Sequence, residues 1–134
     1  AITIEENETG KTLKDKTVKL AKYMVQDFLK LYNSNQIQPI KQNNAYASYE
    51  PQISEKDIII DLTKSKTDVE RHLRALYPWA SPYVKIASRY IKIEKYEFLK
   101  VDEKSEKEKT YKILENNSKF FVVKGKDFLF KVYK

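Results

Sequence analysis

The sequence predicts an α+β fold that is mostly β: a small barrel with one short helix, preceded by a strand, a long amphipathic helix and an extended linker. Three observations predict it. Apolar residues recur at helical spacing between residues 12 and 33. A stretch with no sustained period follows, running through Pro39 and Pro51. From residue 83 onward the texture changes to short β-branched and aromatic runs separated by polar turns.

The elements follow in order. "ITI" at 2–4 reads as a short strand. Thr12 with Asp15 gives a helix start of the capping-box kind. Leu13, Thr17, Leu20, Ala21, Met24, Phe28 and Leu31 then share one face, and Asn33-Ser34-Asn35 ends the helix. That face is wide for a surface helix and needs a partner, so self-association through this helix is expected where no partner covers it. Residues 37–57 read as a linker, with Tyr46 and Tyr49 expected to pack on something. "DIIIDL" (57–62) is a strand by its β-branching. "SKTDVERHLRALYP" is a short helix with Thr67 and Glu70 as its capping box and Pro78 as its stop. Val69, Leu73 and Leu76 face inward, while Arg71 and Arg74 lie on another face.

Strands are expected over 83–87, 89–101, 109–115, 119–125 and 127–134. Within 89–101 the apolar parity switches from Ile91 and Ile93 to Tyr96 and Phe98, as at a bulge or in a strongly coiled strand of a small barrel. "ENNSK" (115–119) and "KGKD" (124–127) are hairpin turns, and "DEKSEKEK" (102–109) is an exposed charged loop. A five-stranded basic unit with one helix points to an OB-like barrel, an architecture often used to hold nucleic acid.

Composition excludes several classes. There is no cysteine, hence no disulfide, zinc–thiolate site or thiol nucleophile. No 18-residue apolar run is present, so no membrane span is expected, and a cytoplasmic location fits both facts. The net charge of +7 is unevenly placed. Residues 1–62 hold 8 Lys/Arg against 9 Asp/Glu, and residues 63–134 hold 18 against 10. A polyanion would therefore bind the second half. Little looks catalytic. His72, the sole histidine, follows Asp68 by one helical turn and reads as a solvated or ion-paired helix residue. Asp57 and Asp61 share a strand face, but aspartates at strand ends usually form turns and caps. Gly10 and Gly125 are too few to build a phosphate-cradling loop, and no metal-ligand cluster appears.

Three stretches, in order, resemble the methionyl-tRNA formyltransferase family. The stretch from "ITIEENETGKTL" to "YEPQIS" is similar to the end of that family's catalytic domain and its linker, through Thr9, Thr12-Leu13, Pro39-Ile40, Gln42, Ala47, Tyr49, Pro51 and Ile53-Ser54. "DIIIDLTKSKTDVERHLRALYPW" looks like the family's Ile-Asp-Trp … Arg-x-x-Arg-Ala … Pro-Trp segment, through Ile60-Asp61, Ser65, Val69, Arg71, Arg74-Ala75 and Pro78-Trp79. "SKFFVVKGKDFLFKV" resembles its last barrel strands, with Gly125 in place of the first glycine. The family's tryptophan after Ile-Asp is Leu62 here, and its "PWPGA" is "PWASP".

The resemblance implies a layout: 1–36 as the last strand and helix of a catalytic domain, 37–57 as linker, and 58–134 as the OB-like C-terminal domain. The family's catalytic Asn, His and Asp and its folate site match points upstream of Ala1. The chain is thus expected to be part of a longer protein, with no catalytic, metal or cofactor residue of its own. The implied parent uses 10-formyltetrahydrofolate and formylates initiator methionyl-tRNA, with the barrel and linker holding the tRNA. Arg71, Arg74, Lys85, Arg89 and Lys92 are the candidates to contact RNA, chosen because they cluster near the linker. Formyltransferases of nucleotide-linked amino sugars share the general layout, and a stand-alone RNA-binding module would show the same basic half, so the acceptor stays open at this point.

Overall fold

Residues Gly10–Asn33 form helix α1. Its first turn is capped by Thr9, whose hydroxyl accepts from the Thr12 N–H at 3.1 Å, while the Thr12 hydroxyl accepts from the Thr9 N–H at 2.9 Å. The capping box therefore starts three residues before the one expected at Thr12 and Asp15. At the other end Asn35 takes a left-handed φ of 54°. The Gln36 N–H then reaches the Leu31 carbonyl (2.9 Å) and the Asn35 N–H reaches that of Tyr32 (3.1 Å), which satisfies two of the last carbonyls in a Schellman motif. No residue of α1 is buried: Met24 stays 61% and Phe28 55% exposed. Residues 2–4, expected as a strand, have no regular structure. In the linker a single 3₁₀ turn spans Asn44–Tyr46, and Tyr46 and Tyr49 are exposed rather than packed.

The computed structural model describes all 134 residues, and they fall into two compact units, Ala1–Gln52 and Ile53–Lys134. The second unit holds all the strands and the remaining α-helices: β1 (Ile59–Ile60), α2 (Lys66–Leu76), β2 (Tyr83–Ile86), β3 (Arg89–Lys92), β4 (Tyr96–Leu99), α3 (Glu103–Glu106), β5 (Ile113–Asn116), β6 (Phe120–Lys124) and β7 (Leu129–Tyr133). It is a small, mostly β unit. Hydrogen bonding runs in two sheets, ordered β1-β2-β3 and β4-β7-β6-β5, and does not continue as one closed ring. β1 runs parallel to β2; all other pairs are antiparallel.

One core serves both sheets. Ile60, Val84 and Ile86 from the first, Phe121, Val123, Phe130 and Val132 from the second, and Val69, Leu73 and Leu76 from α2 belong to a single buried cluster. The parity switch in 89–101 marks where the chain changes sheets. β3 ends at Lys92, Ile93 stays in the core at 4% exposure, and β4 begins at Tyr96 paired with β7. α2 is capped by Ser65, whose side chain accepts from the Asp68 N–H at 3.2 Å, instead of by Thr67 and Glu70. The charged loop contains α3, capped by Asp102, and Ser105 within it is buried. The expected strand 57–62 shortens to Ile59–Ile60, and the one expected over 109–115 starts later and ends one residue later, as Ile113–Asn116, because residues 55–58 and 110–111 form turns.

Two local arrangements join the parts of the unit. The Tyr111 hydroxyl accepts from the Leu62 N–H (3.0 Å) and donates to Asp61 Oδ1 (3.1 Å), tying the segment after β1 to the strand region before β5. Gly125 accepts no side chain: a Cβ there would meet the Phe128 ring at 2.5 Å, and Phe128 is 1% exposed.

Two stability predictions follow from these contacts. Tyr111→Phe leaves the Leu62 N–H without its partner and should cost about 1–3 kcal/mol, read as a lower urea midpoint at unchanged m-value. Gly125→Ala forces the core ring of Phe128 aside and should cost about 1–3 kcal/mol by overpacking, read as a fall in Tm; an unchanged Tm would show that the ring can give way freely.

Candidate nucleic-acid interface

The sequence of the β2–β3 hairpin alternates tightly: "YVKI", then Ala87-Ser88, then "RYIK". The two-residue connection, with Ala87 at a φ of 53°, fixes the register. Val84 pairs with Ile91 and Ile86 with Arg89, while Tyr83 pairs with Lys92 and Lys85 with Tyr90. Since Val84 and Ile86 are buried, the pleat sends Tyr83, Lys85, Tyr90 and Lys92 to the opposite, outer face. Ile59 of β1, paired with Tyr83, shares that face.

The outer face is basic and aromatic at once. The Lys85 ammonium stands over the Tyr90 ring, 5.3 Å from its centroid. Lys92 donates to Glu94 Oε1 at 2.8 Å, and that hydrogen bond raises the ammonium above its usual range. Beside the two tyrosines runs a groove of about 350 Å³, lined by Glu55, Ile58, Ile59, Tyr83 and Tyr90.

The five residues singled out from sequence divide three ways. Lys85 and Lys92 meet on the outer face. Arg89 has the opposite parity, pairs with Ile86 at the hairpin tip and lines a second groove with Asn116 and Lys134. Arg71 and Arg74 stand on α2. Arg71 is exposed; Arg74 is half-buried, and its Nε–H is enclosed with no accepting group. Burial raises the Tyr96 hydroxyl above its usual range, Glu70 adds to the rise and Arg74 opposes it. Sequence reading passed over Tyr83 and Tyr90, although each sits two residues before a lysine, the spacing that puts both on one strand face.

The remaining chemistry is structural. His72 Nε2 meets the Asp57 carbonyl at 2.6 Å, so its partner is this backbone group and not Asp68. Asp57 lies in a turn, off the strand, and accepts from the Ser54 N–H and hydroxyl, both at 2.7 Å. Asp61 accepts from the Thr63 hydroxyl (2.7 Å) and N–H (2.9 Å). These hydrogen bonds hold both carboxyls below the usual range. The pair expected on one strand face is thus two separate turn-formers.

The comparisons with known proteins decide the family. A model of the formyl transferase C-terminal domain matches residues 52–134. The chain belongs to that family. It is 32% identical over 105 residues to a methionyl-tRNA formyltransferase of Bacillus mycoides (strain KBAB4), covering 78% of this chain and 33% of that protein. Proteins of the same name from Bacillus thuringiensis (strain Al Hakam) and Bacillus cereus (strain B4264) are 30% identical over 92 residues, covering 69% of this chain and 29% of theirs. The chain thus spans about a third of the length of the curated relatives it matches. The matched region contains the whole β2–β3 hairpin and α2.

The different settings of the two α2 arginines can be measured apart from any ligand. Arg71→Ala should leave stability within about 0.5 kcal/mol, as exposed substitutions do. Arg74→Met keeps the stem and removes the enclosed, unpartnered N–H, so it should be neutral or stabilising by up to about 1 kcal/mol; a loss of stability on chemical denaturation would show that the guanidinium has a partner.

Proposed function

We propose that this chain is the tRNA-binding C-terminal region of a 10-formyltetrahydrofolate-dependent, methionyl-tRNA formyltransferase-like protein. It holds the tRNA mainly through phosphates while residues outside these 134 carry out the transfer. The observation that carries the reading is the outward basic face of the β2–β3 hairpin within the family-matched region. The names of the relatives support methionyl-tRNA as the acceptor. Arg71, Lys85, Arg89 and Lys92 offer exposed cations, and Arg74 adds a half-buried one. Each would position the polyanion without reading its sequence.

The residues present do not fit a folate or a formyl-transfer centre. His72 is engaged by a backbone carbonyl, Asp57 and Asp61 are held by turn hydrogen bonds, and the grooves are open surface features. No step through the cofactor is therefore assigned to this chain. In this reading the cofactor and the reacting groups belong to the portion of the relatives that the chain does not span. The uncovered apolar stripe of α1 fits the same reading: such a stripe suits a helix that docks on a further domain, and in the isolated chain it would drive self-association.

The test is a salt titration of tRNA binding. Affinity should fall steeply with salt, and each phosphate contact removed should lower the magnitude of the log–log slope by about one unit. Lys85→Ala/Lys92→Ala and Arg71→Ala/Arg74→Ala should each lower it. An unchanged slope removes that pair from the interface, and no binding at low salt favours an amino-sugar acceptor over tRNA.

A further inference from the structure

We propose that the outer face of the β2–β3 hairpin is a stacking platform for an unpaired nucleobase of an RNA strand, with Tyr90 and Tyr83 as its rings; this rests on the RNA-binding reading above. Phosphate contact needs only cations, and cations occur over much of this unit. It does not explain why two tyrosines alternate with two lysines on one outward face, with Tyr90 54% exposed beside an apolar groove. The groove, at about 350 Å³, lies within the roughly 300–1,000 Å³ of small-ligand sites. Its lining is Ile58, Ile59 and the two tyrosines, with Glu55 as the one charged residue.

Charge decides the occupant. Glu55 in the groove lining and Glu94 beside Lys92 oppose a dense double row of phosphates laid across the face. They do not oppose a neutral base placed on the rings, with its phosphates kept at the lysine edge. Lys85 is positioned for both states. In the free protein its ammonium covers the Tyr90 ring at 5.3 Å from the centroid. A base laid on that ring displaces the ammonium, and the flexible stem turns it to the adjoining phosphate. Cation–π contact is exchanged for base stacking plus a phosphate contact.

The probes are an oligouridylate of about ten nucleotides, within the ~4–16 that one OB-type domain covers, and an abasic ribose-phosphate strand of the same length and charge. Binding is followed by fluorescence anisotropy with the full 134-residue chain. The base-bearing strand should bind about tenfold more tightly. Tyr90→Ala and Tyr83→Ala should each remove most of that advantage while leaving the salt slope unchanged, and Tyr90→Phe should keep it. Equal affinity of the wild-type chain for the two strands overturns the platform even where an alanine variant does not fold. In that case steep salt dependence of tRNA binding leaves the RNA reading standing. Failure to bind either strand or tRNA at low salt overturns both.

Discussion

Burial of one face of each sheet in a common core is the constraint on which the rest of the second unit depends. Ile60, Val84 and Ile86 meet Phe121, Val123, Phe130 and Val132 across it, and α2 contributes Val69, Leu73 and Leu76. A strand alternates faces with every residue, so the buried members determine the outward ones. A one-residue slip in the β2–β3 register would bury Lys85 and expose Val84, at a cost no surface contact could offset. The position of the basic and aromatic face is thus a by-product of core formation. The side chains that could meet RNA are held by a scaffold that owes nothing to RNA for its stability.

Much of this was legible in the sequence, and the failures share a physical cause. The inward set of α2 and the strands after residue 83 were readable because alternation and helical spacing are direct consequences of one buried face. The parity switch between Ile93 and Tyr96 was also readable, but its meaning was not: a bulge within one strand and a passage from one sheet to another leave the same local pattern. Both helix starts were displaced, because hydroxyl and carboxylate residues crowd each site and only geometry selects Thr9 and Ser65. The short α3 was hidden in a charge run whose one small residue, Ser105, turns inward. In the candidate interface, clustering in sequence picked out Lys85, Arg89 and Lys92 together, and only the register shows that Arg89 has the opposite parity to the two lysines. Tyr83 and Tyr90 were passed over because the candidates were chosen for positive charge and for clustering near the linker.

α1 rests on different physics. A helix usually gains most of its stability from packing an apolar face, yet none of its residues is buried. Its length, the reciprocal Thr9–Thr12 cap and the Schellman end at Asn35 are what local structure supplies. Side-chain pairs along it, Lys11 with Asp15 and Lys30 with Asp27, are exposed and add little. A stripe from Val18 through Val25, Phe28 and Tyr32 stays open to solvent. The two units therefore differ in kind: one satisfies its apolar residues internally, and the other presents them.

The pairing of Lys92 with Glu94 bears on how an anion could be held at the hairpin. Two solvent-exposed groups gain little from each other, because solvent and salt screen the attraction and both side chains lose freedom. A phosphate that takes the Lys92 ammonium from Glu94 exchanges one screened contact for another and releases condensed counterions besides. The acid that neutralises Lys92 in the free protein is therefore no barrier to binding. It acts instead against a second phosphate arriving beside the first, because once Lys92 is engaged Glu94 faces the polyanion alone. Lys85 carries no such neighbour and covers an aromatic ring. The two lysines of one face are thus unequal: Lys85 stands over a ring, while Lys92 is paired with an acid.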